Sequence, residues 1–216
     1  MRMSRPPMPC EERFRKAAPS ALYREFLELL SPAYPDAFRE VMARFREGAA
    51  LTLLPHYRRA MIETELQVLA HRLGLTSSVE TFPGTTDTFV LIEMPDQVKL
   101  IVCYLRNKKD AVRYARAREE MAQQSNQPYL FESPTSGNLA LPPSALFAIL
   151  THCPDEKDVG IFGSAAIIFP HPDPKVSLGE LNVQAEAERV QIEEAAQKTA
   201  AKRKVEIKIK KGGDLS

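Results

Sequence analysis

The densest run of apolar residues lies near the middle of the chain, at Leu100–Leu105. It is too short to span a membrane and is typical of a strand that is buried on both faces of a sheet. A second apolar run, at 88–93, precedes it across a short polar break at 94–96. The pattern predicts two neighbouring strands, 85–93 and 97–105, and we expect the second to form the centre of the core.

Helical periodicity dominates the first third of the chain. Apolar residues recur at helical spacing in 21–30, 36–45 and 55–73, which predicts amphipathic helices there. Ser31-Pro32 indicates the end of the first, and Gly48 and Gly74 indicate the ends of the next two. On the third helix, the polar face is predicted to carry Arg58, Arg59, Glu63 and Glu65.

The remaining segments are predicted from shorter patterns. Strands are expected at 78–82 and 159–169, a short helix at 144–150, and a loop at 126–143 that is rich in Pro, Ser and Asn. From 178 to about 202 the chain favours a helix with a weak apolar seam. The end, 202–211, alternates Val205, Ile207 and Ile209 with cations, as in an amphipathic edge strand or a basic tail.

Together these elements predict an α+β protein: a small mixed sheet flanked by helices, with an N-terminal helical layer and a C-terminal helix and basic segment. The expected boundaries are a flexible, proline-rich arm at 1–19, a helical layer at 20–75, an α/β core at 76–175 that is continuous with it, and an extended helix with a basic tail at 176–216.

Composition limits the classes of function. The 216 residues include 29 basic and 28 acidic side chains, a net charge of +1, so any basic site must be local. Cys10, Cys103 and Cys153 lack paired spacing, which favours a reducing compartment. The N-terminus has no apolar signal region and no later run is long enough for a membrane span. We therefore expect a cytoplasmic protein without a membrane partner.

The stretch after the central strand is the most basic in the chain. Its cations could neutralise phosphates of DNA or RNA, whereas the alternative is a solvated face paired with Glu119 and Glu120. The C-terminal segment is a second basic stretch. The candidate nucleic-acid-binding residues are Arg106, Lys108, Lys109, Arg113, Arg116, Arg118, Lys202, Arg203 and Lys204.

The order helix, strand, strand, strand, basic helix over 55–124 resembles the core of the PD-(D/E)xK nuclease-like families. The resemblance implies a divalent metal held by an acid on the second strand and by an acid-x-lysine pair on the third. It places Asp87 at the second-strand position and Glu63 or Glu65 at a helix acid that often assists.

The third strand departs from that family pattern. Cys103 with Leu105, or Val98 with Leu100, stands where the acid-x-lysine pair belongs, and none of these side chains binds a hard cation. We therefore predict no catalytic residues, no metal and no cofactor. Glu206-Ile207-Lys208 has the spacing, but it lies in the basic tail.

Two further motifs are weighed against simpler structures. Residues 65–79 resemble a helix-turn-helix, but Glu80 occupies the position where an apolar residue is expected and Pro83-Gly84 would cut the second helix short, so a helix end followed by a strand is favoured. His152 beside Cys153 has no second ligand pair at zinc spacing.

The sequence favours a non-enzymatic binding or adaptor protein that acts in a complex. Its partner would be a protein or a second copy bound through the 178–202 helix, and DNA or RNA bound through the basic residues. A metal-dependent nuclease and a purely structural assembly subunit are the alternatives.

Overall fold

The computed structural model describes residues 8–81, 88–108, 122, 145–171, 173 and 177–213, with the backbone alone beyond residue 200. Its strands form a six-stranded sheet in chain order, in which every neighbouring pair is antiparallel except the third and fourth strands. The strands are β1 (Thr76–Thr81), β2 (Thr88–Met94), β3 (Val98–Tyr104), β4 (Leu146–Pro154), β5 (Phe162–Pro170) and β6 (Ser177–Asn182).

A 3₁₀ helix at Pro95–Gln97 joins β2 to β3, and the α-helices with described bounds lie before and after the sheet in sequence. They are α1 (Cys10–Ala17), α2 (Leu22–Arg44), α3 (Glu47–Arg72) and α4 (Val183–Gly213). The predicted α+β class, with a mixed sheet flanked by helices, is confirmed. The end of α3 is also as predicted: Gly74 takes a left-handed φ of 70° and β1 begins at Thr76.

The centre of the sheet is buried on both faces, as the apolar pattern predicts. Leu100 of β3 faces a core that includes Phe26 of α2 and Leu66 of α3. Ile101 and Cys103 face a second core on the opposite side. Successive side chains of a strand point to opposite faces, so β3 contributes to both cores at once.

The prediction of a flexible N-terminal arm is wrong for residues 10–17, which form α1. Phe14 is fully buried, with its ring centroid 6.5 Å from that of Tyr23 and 5.7 Å from that of Phe169. The proline-rich stretch ends at Pro9, and acidic Glu11 and Glu12 follow in the first turn, where they suit the helix dipole. The buried Phe14 ring therefore holds in place a segment that its composition alone predicts to be flexible.

Two helix ends were also predicted wrongly. The helix continues through Pro32 and Pro35, and the two predicted helices are one, α2. Ala33, Tyr34 and Ala37 are buried there, so tertiary packing outweighs the hydrogen bonds that the prolines remove. For the same reason α3 starts at Glu47 rather than near Pro55, which lies inside it.

The segment 144–150 is mostly the strand β4 rather than a helix. All nine residues of β4 are buried, and the strand pairs in parallel with β3 and antiparallel with β5. A short apolar run does not distinguish a buried strand from a buried helical turn.

The C-terminal predictions need correction at both ends. Residues 177–182 form the edge strand β6, and the helix starts at Val183. The basic segment continues this helix to Gly213 and is not a strand. Alternation over a few residues was a weak signal, because adding residues to an existing helix costs less than starting a new element.

We predict that Phe14→Ala lowers the free energy of unfolding by about 3 kcal/mol, because it empties a fully buried aromatic site. Urea denaturation followed by circular dichroism measures the change. Glu12→Ala, on the exposed side of the same helix, should change it by less than about 0.5 kcal/mol. Equal, small effects of both variants would show that α1 is not docked on the core.

Candidate functional site

The parallel pair β3 and β4 creates one edge of the sheet where two strands end side by side. β3 ends at Tyr104 and β4 at Pro154, and Tyr104 pairs with His152. In sheets with parallel strands, ligands bind preferentially outside the carboxyl ends. Arg106 and Lys108 follow β3 at this edge and are exposed.

A cleft of about 140 Å³ opens at this end of the sheet, on the face opposite α2 and α3. It is small beside the roughly 300 Å³ at which pockets for drug-sized ligands begin. It therefore suits a single small group rather than a whole nucleotide. Its polar lining residues are Thr151, His152 and Cys153 of β4, Ser164 of β5, Glu180 and Asn182 of β6, and Lys108.

Much of this polar lining is already bonded within the protein. Thr151 Oγ1 donates to the carbonyl oxygen of Ala166 at 3.0 Å, and Cys153 Sγ lies 3.1 Å from Ser164 Oγ. His152 cannot activate the thiol, since its ring lies on the other face of β4 and contacts Tyr34. For the same reason His152 and Cys153 cannot share one zinc ion.

A buried polar cluster lies on the helix side of the sheet, and the sequence interpretation missed it. Arg58 is only 1% exposed, so its predicted place on the polar face of α3 is wrong. Its Nη2 donates to the carbonyl oxygen of Val159 at 2.7 Å, and its guanidinium lies 3.9 Å from the centre of the Tyr34 ring. Tyr104 is the next ring, with its centre 5.8 Å away. The guanidinium thus ties α3 to α2 and to the turn between β4 and β5.

His152 completes this cluster. Its Nδ1 is 2.7 Å from the Tyr34 hydroxyl, and its ring packs edge-on against Tyr34 and Tyr104. Burial, reinforced by the Arg58 charge, lowers the pKa of His152 from 6.5 to about 3, and burial raises the pKa of Tyr34. The neutral ring is enclosed, at 1% exposure, by Tyr34 and Tyr104 and lies near the Arg58 charge.

The acids implied by the nuclease resemblance are not assembled in the described part of the chain. Glu63 is paired with Arg59 at 2.9 Å, Glu65 is exposed, and Asp87 lies outside the described residues. The third-strand positions Val98 and Leu100 are fully buried. Among the described residues there is no group of three His, Cys, Asp or Glu side chains that could hold a metal ion.

The predicted basic site is only partly within the described structure. Arg106 and Lys108 are exposed at the end of β3, whereas Lys109, Arg113, Arg116 and Arg118 lie outside the described residues. Lys202, Arg203 and Lys204 lie in the part of α4 for which only the backbone is described. Nucleic-acid binding by these two basic segments stays a prediction.

The first turns of α4 are firmly attached to the core. The Asn182 side chain accepts a hydrogen bond from the Ala185 amide at 2.9 Å and so caps the helix. Glu186 is buried and accepts hydrogen bonds from Arg15 at 2.6 Å and from Arg189 at 2.8 Å. Burial alone would raise the pKa of Glu186, but these two arginines outweigh it and lower the pKa.

Beyond this attachment α4 has almost no described neighbours. From 191 to 200 every side chain except Glu194 is exposed, and Ile192 is 69% exposed. The helix nevertheless continues to Gly213. This part of the helix, residues 191–213, is hereafter the α4 arm.

No known protein family, curated protein or solved structure matches this chain. Within the described ranges, no helix is both long and apolar enough to cross a membrane. Function must therefore be inferred from the geometry of the site.

We predict that acid destabilises the fold through His152. Its pKa is about 3 in the folded state and about 6.5 in the unfolded chain, so the unfolded state binds the extra proton as the pH falls below 6.5. The free energy of unfolding should decrease by roughly 2 kcal/mol between pH 7 and pH 5 from this group alone.

Urea denaturation of the wild type and of His152→Gln at the two pH values measures this dependence. The variant should lack that part of the decrease, whereas His71→Gln, which changes an exposed histidine of α3, should retain it. Identical pH dependence in the wild type and His152→Gln would contradict the buried, neutral histidine.

Proposed function

We propose that the protein is a non-enzymatic adaptor that works in a complex, and that the α4 arm is the element that binds its partner. The observation that carries the proposal is the contrast along one helix. The first turns of α4 are capped, ion-paired and buried. The arm continues the same helix, and its side chains are exposed where they are described.

The length of the arm supports this role. Residues 191–213 extend roughly 35 Å at about 1.5 Å per residue. Helices in proteins owe most of their stability to packing rather than to intrinsic propensity. The ion pair between Arg189 and Glu193 at the start of the arm contributes at most a few tenths of a kcal/mol. A partner surface would supply the packing that the described residues do not give to side chains 191–200.

Nucleic acid is the partner class that the charges favour. The arm ends in a segment rich in Lys and Arg, and Arg106 and Lys108 are exposed at the end of β3. Clustered cations bind phosphates by releasing counterions, which makes the affinity strongly dependent on salt. The first alternative is a protein partner that binds the arm. The second is a purely structural subunit, which would bind no nucleic acid.

A nuclease-like domain without its metal site forms part of the proposal. It is supported by the order α3, β1, β2, β3, with the three strands antiparallel. It is supported also by the apolar side chains Val98, Leu100 and Leu105 at third-strand positions where metal chemistry needs an acid and a lysine. The three free cysteines favour a reducing, cytoplasmic location.

We predict that the protein binds labelled DNA or RNA without cleaving it. With about four phosphate contacts, the affinity should fall roughly 100-fold between about 50 and 200 mM salt. Fluorescence anisotropy with single- and double-stranded DNA and RNA, with and without Mg²⁺, measures both affinity and cleavage.

Matched charge variants test which surface binds. Two variants should lose the salt-dependent binding, one in each basic segment, while a control that removes four cations elsewhere, as many as the larger variant, should retain it. The first carries Ala at Lys108, Lys109, Arg113 and Arg116, the second carries Ala at Lys202, Arg203 and Lys204, and the control carries Ala at Arg39, Arg44, Arg46 and Lys157.

The outcomes separate the classes of function. Loss of binding in the first two variants alone supports the adaptor. Cleavage that requires Mg²⁺ would instead establish a nuclease. Absence of binding at low salt to every probe would overturn the nucleic-acid part and leave a protein partner for the arm.

A further inference from the structure

Two buried nitrogen atoms on the helix side of the sheet have no hydrogen-bond partner in the described structure. They are Nε of Arg58 and Nε2 of His152, and each of these residues is only 1% exposed. Buried polar groups in proteins are almost always paired, because an unpaired one loses its hydrogen bonds to water without replacement. Two such atoms in one cluster therefore indicate a bound group that the described residues do not provide.

The hydroxyl of Tyr34 determines which nitrogen of His152 carries the hydrogen. It lies 2.7 Å from His152 Nδ1. A phenol hydroxyl is a stronger donor than an imidazole N–H, and an imidazole nitrogen is a stronger acceptor than a phenol oxygen, so the hydroxyl donates to Nδ1. The neutral ring then carries its hydrogen on Nε2. Arg58 Nε also carries a hydrogen, so both unpaired atoms are donors that lack an acceptor.

Arg58 also lacks a counter-charge in the described structure. None of the ion pairs among the described residues includes it. Burial lowers the pKa of Arg58, and the groups that oppose this effect are the tyrosines Tyr34 and Tyr104 rather than carboxylates. A buried charge is normally paired with an opposite charge, so the missing acceptor is expected to be an anion.

The two donors belong to side chains that pack on the same pair of aromatic rings. The Arg58 guanidinium is 3.9 Å from the centre of the Tyr34 ring and 5.8 Å from the centre of the Tyr104 ring. The His152 ring packs edge-on against both tyrosines, with ring centroids 5.8 Å apart in each case. Since Arg58 and His152 are almost completely enclosed, a group that reaches both must be small.

Tyr104 brings this cluster to the surface of the protein. It is only partly buried, and it ends β3 at the edge of the sheet where Arg106 is exposed. The positive charge of Arg106 favours the approach of an anion to this edge.

We propose that Arg58 and His152 together bind one small anion, of about the size of a halide, inside this cluster. Arg58 supplies the positive charge and one hydrogen-bond donor, and His152 supplies the second donor. The ion takes the place of the carboxylate that a buried arginine usually has, and it links α3 to β4. The site is separate from the α4 arm, so the proposal does not depend on what the arm binds.

Thermal unfolding of the full chain in two salts tests the site. An anion that binds only the folded state raises its stability as the anion concentration increases. The melting temperature of the wild type should be about 3 °C higher in ~200 mM sodium chloride than in sodium gluconate, whose anion is too large to be enclosed. Arg58→Met removes the charge but keeps a long apolar side chain, so this variant should lose the difference.

Arg59→Met is the matched control, at the next residue of α3. Arg59 is 39% exposed in its side chain and pairs with Glu63, so its removal should leave the difference between the two salts unchanged. Equal responses to chloride in the wild type and in Arg58→Met would be a general salt effect and would overturn the proposal.

Crystallography of the wild type in sodium bromide decides the question if Arg58→Met fails to fold. Bromide scatters anomalously, which distinguishes a bound ion from water. The expected result is an anomalous peak within hydrogen-bond distance of Arg58 Nε and His152 Nε2. Water or no density beside these atoms, or bromide at exposed cations alone as an adventitious ion only, would contradict the site.

Discussion

The structure depends on covering β3 and β4 on both faces. β4 is buried along its whole length, and β3 places Leu100 in one core and Ile101 in the other. Since the two strands are parallel, the chain must cross over between them, and Ala122 from that connection packs in the second core. Residues of α1, α2 and α3 pack together in the first core, and Phe14 of α1 is buried there.

The sequence predicted those parts of the fold that rest on long or uninterrupted apolar patterns, such as β3 and the class of the sheet. It failed where packing overrides a local signal. Pro32 and Pro35 remain in α2 because the helix is buried around them, and β4 was read as a helix because its apolar run begins like one. Arg58 was placed in solvent because arginines usually are, and only its tertiary partners Tyr34 and Val159 reveal otherwise.

The sequence predicted which residue types the candidate site contains, but not where those residues lie in the fold. Charge clustering selected Arg106 and Lys108 as candidates; both are exposed where the parallel strands end, and their binding of nucleic acid stays a prediction. The structure adds the neutral, enclosed His152 and a small cleft of about 140 Å³ where these strands end. The weak seam of the C-terminal helix pointed to a partner. The structure shows how the first turns of this helix are held. Asn182 caps the helix, and Glu186 forms ion pairs with two arginines.

In the proposed adaptor the core holds the first turns of α4 and the arm binds a partner, which amide hydrogen exchange of the full chain can test. We predict slow exchange in β3, β4 and α4 up to about Val190, and fast exchange over the arm at residues 191–213. Adding nucleic acid at low salt should slow exchange in the arm and leave the core unchanged. Strong protection of the arm in dilute protein alone, or no change there with any nucleic acid or co-purifying protein, would contradict the account.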